Sequence, residues 1–90
     1  MQFAWIGFLK NGADADQDVL HQATDFLEQP FIRIQSAGSL RDGDGRRSGM
    51  MMIFDADDRR TAEALVAASP FLKAGLYEQH HLFEYRDEVG

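Results

Sequence analysis

Ninety residues carry fifteen aspartates and glutamates against nine lysines and arginines, a net charge of −6, and no cysteine. A chain of this length is one domain, 1–90, and its acidity argues against nucleic acid or an anionic membrane surface as a partner. The missing thiols exclude disulfides and thiolate chemistry, and roughly 60–65% burial of the unfolded surface leaves such a small domain marginal on its own.

Phe3 to Leu9, FAWIGFL, is apolar without alternation and is far too short to span a bilayer. It lacks a basic lead and a cleavage pattern, so no signal peptide is expected and the cytoplasm is the expected location. Met50 to Phe54, MMMIF, has the same character. Short continuous apolar runs suit strands buried on both faces. Its three methionines are core filler rather than a metal or cofactor box.

Asp14 and Asp16 offer N-caps for a first helix over about Asp16 to Gln29. Val19, Leu20, Ala23, Phe26 and Leu27 form its apolar stripe, and Pro30 stops it. A second strand follows, with Ile32 and Ile34 facing one way and Phe31, Arg33 and Gln35 the other. Arg41 to Ser48, RDGDGRRS, reads as a polar hairpin loop without an apolar anchor, expected to be mobile.

A second helix over about Asp58 to Ala68 turns Ala62, Leu65 and Val66 inward, with Asp57 or Asp58 as its cap. Pro70 disfavours helical backbone at the residue before it, so the helix ends near Ser69. Phe71 and Leu72 form an apolar turn, and Gly75 opens the last strand. Along that strand Leu76, Glu78, His80, Leu82 and Glu84 form one row; Tyr77, Gln79, His81, Phe83 and Tyr85 form the other, largely aromatic row.

Two doubly apolar strands flanked by two alternating ones fit a ferredoxin-like βαββαβ fold. It is an α+β, four-stranded antiparallel sheet in the order 4-1-3-2 with two helices on one face. Two helices cover only one face of such a sheet. The apolar second face is therefore expected to meet a second copy, giving a homodimer.

Ala37-Gly38-Ser39-Leu40, Ser69-Pro70-Phe71 and Ala74-Gly75-Leu76-Tyr77-Glu78 occur in an order and spacing that resemble the YCII-related (YciI-like) family over nearly the whole chain. The resemblance implies a turn at Ala37–Leu40 and a dimeric α+β barrel. It also implies a helix histidine acting with the aspartate of an Asp-Pro motif. His21, sixteen residues before Ala37, stands where that histidine is expected. Two positions depart from the pattern: Ser69 replaces the aspartate and Ser39 the proline of the turn.

A carboxylate orients a histidine and raises its basicity, whereas serine supplies no charge. Helical phase also places His21 roughly 160° from the apolar stripe, which reads as a surface histidine. His80 and His81 are adjacent on a strand, face opposite ways and cannot grip one metal together. His81, beside aromatic residues, reads as a pocket base or as an interface histidine. Arg33 reads either as the holder of a carboxylate or phenolate opposite a dimer partner, or as an edge charge that discourages aggregation.

Asp14, Asp16, Asp18 and Asp25 have calcium-loop spacing, but Val19 stands where that loop needs glycine. A helix start is the better reading. No phosphate-loop, dinucleotide or zinc motif occurs, so no cofactor and no metal are expected.

Two functions follow. In one, a cofactor-free isomerase or lyase moves a proton on a small cyclic or aromatic acid. His21 and Ser69 are its catalytic candidates; Arg33, Tyr77 and His81 bind the ligand. In the other, a dimeric binding or structural module has lost the family aspartate.

Overall fold

The computed structural model describes residues 1–10, 21–22, 25–26, 28–29 and 33–89, apart from the Phe71 side chain. Strands β1 (Gln2–Leu9), β2 (Arg33–Arg41) and β3 (Arg47–Asp55) are followed by helices α1 (Arg59–Ala67) and α2 (Pro70–Lys73) and strand β4 (Tyr77–Tyr85). The sheet runs β2-β3-β1-β4, with antiparallel neighbours. This is the expected order read from the opposite edge, and the fold is ferredoxin-like α+β.

The doubly apolar strands take the two central positions because only there is each face of a strand flanked on both sides. One face, packed on α1, holds Phe3, Trp5, Met50, Met52 and Phe54, which form the core with Ala62 and Val66 of the helix. Ala62 and Val66 are one helical turn apart, so small side chains let α1 sit closely on the phenylalanines of β1 and β3. Ile34, Leu65, Leu72, Tyr77 and Leu82 close the edges of this core.

The caps match the chemistry of the sequence. The Asp58 carboxylate accepts from the Thr61 backbone N–H at 2.7 Å and starts α1. Arg59 donates to the Leu82 carbonyl at 3.0 Å, tying that end of the helix to β4. Pro70 ends the run: Ser69 adopts extended backbone and becomes the N-cap of α2. Gly75 has φ +69°, the left-handed conformation that allows the chain to re-enter the sheet.

The opposite, open face carries the other residues of each strand. Ala4 lies between Ile53 and Phe83, and Ile6 between Met51 and His81. Phe8 and Phe83 are 44% and 53% exposed there, and no described element of the chain covers them.

Three expectations change. Ala37–Leu40 is not a turn. It continues β2, pairing from Met52 to Gly49 after an irregularity between Ile34 and Ser36. The hairpin loop is correspondingly shorter. Arg41 pairs with Arg47, and the turn between them is closed by the Asp42 carboxylate, which accepts from the backbone N–H groups of Asp44 and Arg46. The third change is the phase of β4, described below. The first helix and the calcium-like spacing fall mostly outside the described residues; His21, Gln22, Asp25 and Phe26 within that segment are helical.

Candidate functional site

Strand pairing makes the site. Phe8 pairs with Gln79 but Leu9 pairs with Tyr77, so Glu78 is an extra residue on β4. A one-residue bulge reverses which face the following side chains take. Tyr77 therefore leaves the row expected for it and joins His80 and Leu82 on the helix side of the sheet. This corrects the grouping of Tyr77 with His81.

On that side the Trp5 indole is the centre. The Tyr77 ring meets it edge to face at 5.2 Å between centroids, and the His80 ring is tilted against it at 6.1 Å and 36°. Gly7 makes the arrangement possible. A Cβ at Gly7 would lie 2.6 Å from the indole Cη2 and 2.8 Å from Tyr77 Cδ1, so the two rings occupy space that any other residue would fill.

Trp5 is only 2% exposed, yet its Nε1–H, alone among the buried side-chain polar atoms of the described residues, has no hydrogen-bond partner. A buried donor left unpaired costs about 1–3 kcal/mol. The Tyr77 hydroxyl approaches Met50 Sδ at 3.9 Å. Burial pushes the Tyr77 phenol up to about 12, against the opposing pull of the Arg47 charge. At neutral pH it is therefore an uncharged donor.

The residues singled out from sequence are distributed differently. Ser69 is 7% exposed and is held by its backbone, donating to Val66 and accepting from Lys73. Its hydroxyl does not cap α2. His21 is exposed, in agreement with its helical phase, and no hydrogen bond joins it to Ser69. Arg33 is exposed and pairs in register with Asp55, one position from Ile34, which is packed on the core. Alternation therefore puts Arg33 on the open face, at the β2 edge.

His81 stacks on Phe83 at 6.0 Å, also on the open face. Arg33 and His81 are thus separated from Tyr77 by the sheet itself, and the three do not form one site within a single chain. The sequence reading missed Trp5 and His80 as a pair. The signal available was the only tryptophan of the chain in a central strand, two residues before a glycine. Among the described residues no group of side chains has the makings of a metal site, and no helix is long and apolar enough to cross a membrane.

A four-stranded antiparallel sheet with helix on one side and no described element on the other defines the class, a ferredoxin-like α+β domain. Residues 1–86 match the YCII-related domain, and the chain belongs to that family. No curated protein matches the sequence. Among solved structures it is similar to the 5-chloro-2-hydroxyhydroquinone dehydrochlorinase of Burkholderia phenoliruptrix AC1100 in complex with 2,5-dihydroxybenzoquinone. That likeness has a TM-score of 0.76 and 20% identity over 96% of this chain and 94% of the other. A Mycobacterium tuberculosis protein is similar at a TM-score of 0.54 and 12% identity, over the full length of both chains. At these identities the likeness is one of fold.

Proposed function

We propose that this YCII-related chain is a cofactor-free small-molecule domain that moves a proton on a small cyclic or aromatic acid. The observation that carries this reading is the aromatic cluster on the helix side of the sheet, where an uncharged phenol and an imidazole flank one indole. A flat ring suits aromatic walls, an imidazole exchanges protons near neutrality, and a neutral phenol donates to an oxygen that gains charge. The structural likeness to a dehydrochlorinase holding a benzoquinone agrees with a small oxygenated ring as ligand.

In this reaction class a base removes a proton from carbon next to a carbonyl, the electron pair moves onto oxygen, and the proton returns at another carbon or a leaving group departs. His21 is the base that the family pattern assigns, with Ser69 in place of its carboxylate partner. His80, against Trp5, is the base favoured by the geometry.

A second reading, a binding module without turnover, is favoured by Ser69. A buried, uncharged side chain stands where the family has its aspartate. Proton exchange separates the two. Phenolic and lactone acids incubated with the protein in D2O are followed by NMR. Catalysis predicts deuterium uptake at the acidic carbon, lost in His80→Ala or His21→Ala. Saturable binding without uptake establishes the module.

Assembly belongs to the same proposal. The open face, with Ile6, Phe8, Met51, Ile53 and Phe83, is the surface through which two copies form a homodimer. Arg33 and His81 then stand at that interface, where a partner's residues complete any role they have with an anion.

A further inference from the structure

We infer that the Trp5 indole N–H is the hydrogen-bond donor for a ligand, and that the ligand is a small flat ring bearing an uncharged carbonyl oxygen. This rests on the small-molecule reading above and names the group that anchors the molecule.

An indole has one N–H and no acceptor, so a buried tryptophan is satisfied only by an acceptor atom brought to it, most often an oxygen. Among the described residues none supplies that oxygen. Packing does not force the cost, because a phenylalanine at position 5 would fill an apolar core without a polar atom. The indole is also built into place. It lies over Gly7, whose missing side chain leaves room for its six-membered ring, and Tyr77 meets it edge-on at 5.2 Å.

The class of acceptor follows from the surroundings. Among the described residues the core that holds Trp5 includes Phe3, Met50, Met52 and Val66, which solvate no ion. Burial holds the Tyr77 phenol in its uncharged form, and the same environment disfavours a charge beside the indole, so the acid group of the ligand lies away from Trp5. Arg33, the guanidinium expected from sequence to hold an anion, lies on the other face of the sheet. A carbonyl oxygen accepts the hydrogen bond without bringing a charge into the core, and a flat ring is the shape that stacks favourably on aromatic side chains. His80 is exposed and lies tilted on the indole at 6.1 Å, so it is the side chain that a ring arriving from solvent would have to displace.

Trp5 is the only tryptophan of the chain, so its indole N–H gives one isolated cross-peak in a 1H–15N spectrum. The full-length protein is titrated with 4-pyranone, with benzene as a flat ring lacking an acceptor, and with benzoate as an anion. Saturable downfield movement of the indole proton with 4-pyranone, absent with benzene and weaker with benzoate, is the expected result. Trp5→Phe then weakens 4-pyranone binding by about tenfold or more, the scale of one buried hydrogen bond. Should that variant not fold, the wild-type titration still decides. If 4-pyranone perturbs other residues saturably and leaves the indole proton in place, the anchor is wrong while the small-molecule reading stands. If benzoate moves the indole proton more strongly, the uncharged class is wrong. If no ring perturbs any resonance, the small-molecule reading falls as well.

Discussion

Trp5 on β1 and Tyr77 on β4 meet edge to face, 5.2 Å between ring centres and 89° between ring planes. The contact exists because Glu78 is an extra residue in β4 and because Gly7 has no side chain. Regular pairing of β4 would have turned the Tyr77 ring to the open face.

Gly7→Ala tests this directly. The added methyl would lie within 3 Å of both rings, and neither is the end of a flexible chain. Overpacking of this kind costs about 1–3 kcal/mol. Urea denaturation should show that loss, with a change in tryptophan fluorescence in the folded state. Unchanged fluorescence and an unchanged midpoint would mean that the rings do not occupy this space.

Tyr77 gives the protein an alkaline limit. Its phenol ionises near 10.0 when unfolded and about 12 when folded, because burial disfavours the phenolate. The folded form therefore binds the proton more tightly. The resulting stability is complete below pH 10 and is lost as pH rises toward 12. Tyr77→Phe should remove that part of the alkaline decline. A decline of the same size in the variant would assign the effect elsewhere.

Asp58 acts at the opposite limit. Its hydrogen bonds from Thr61 lower its carboxyl below the ordinary 3.8. The folded state holds the ionised form, so this stabilisation is present above that value and is lost as pH falls below it. Asp58→Ala should lower the thermal midpoint at pH 7, with the difference from wild type shrinking steadily in acid. A difference independent of pH would show that the carboxylate charge has no part in the cap.

Phe83→Asp tests the assembly. Phe83 is half exposed on the open face beside Ala4, and a carboxylate there would be buried in any sheet-to-sheet dimer. Wild type is expected to sediment as a dimer at micromolar concentration and the variant as a folded monomer with an unchanged circular dichroism spectrum. A wild-type monomer would remove the open face as the interface.

Strand order was legible from the chain because burial on both faces is written into composition: FAWIGFL and MMMIF belong in the middle of a sheet wherever they occur. The end of α1 was legible because Pro70 acts on its own neighbour. Part of the site was not. Strand reading assumes a strict period of two, and one unpaired residue at Glu78 reverses it without leaving a mark in hydrophobicity. For the same reason Ala37–Leu40, small and polar enough for a turn, became strand once β3 offered partners.

Caps, helix ends, apolar runs and the family to which they belong are local chemistry, and each is written in neighbouring residues of the chain. The meeting of Trp5, Tyr77 and His80, and the placing of Arg33 and His81 beyond the sheet, were decided only in tertiary structure. Register is a property of two strands together, and neither strand contains it alone.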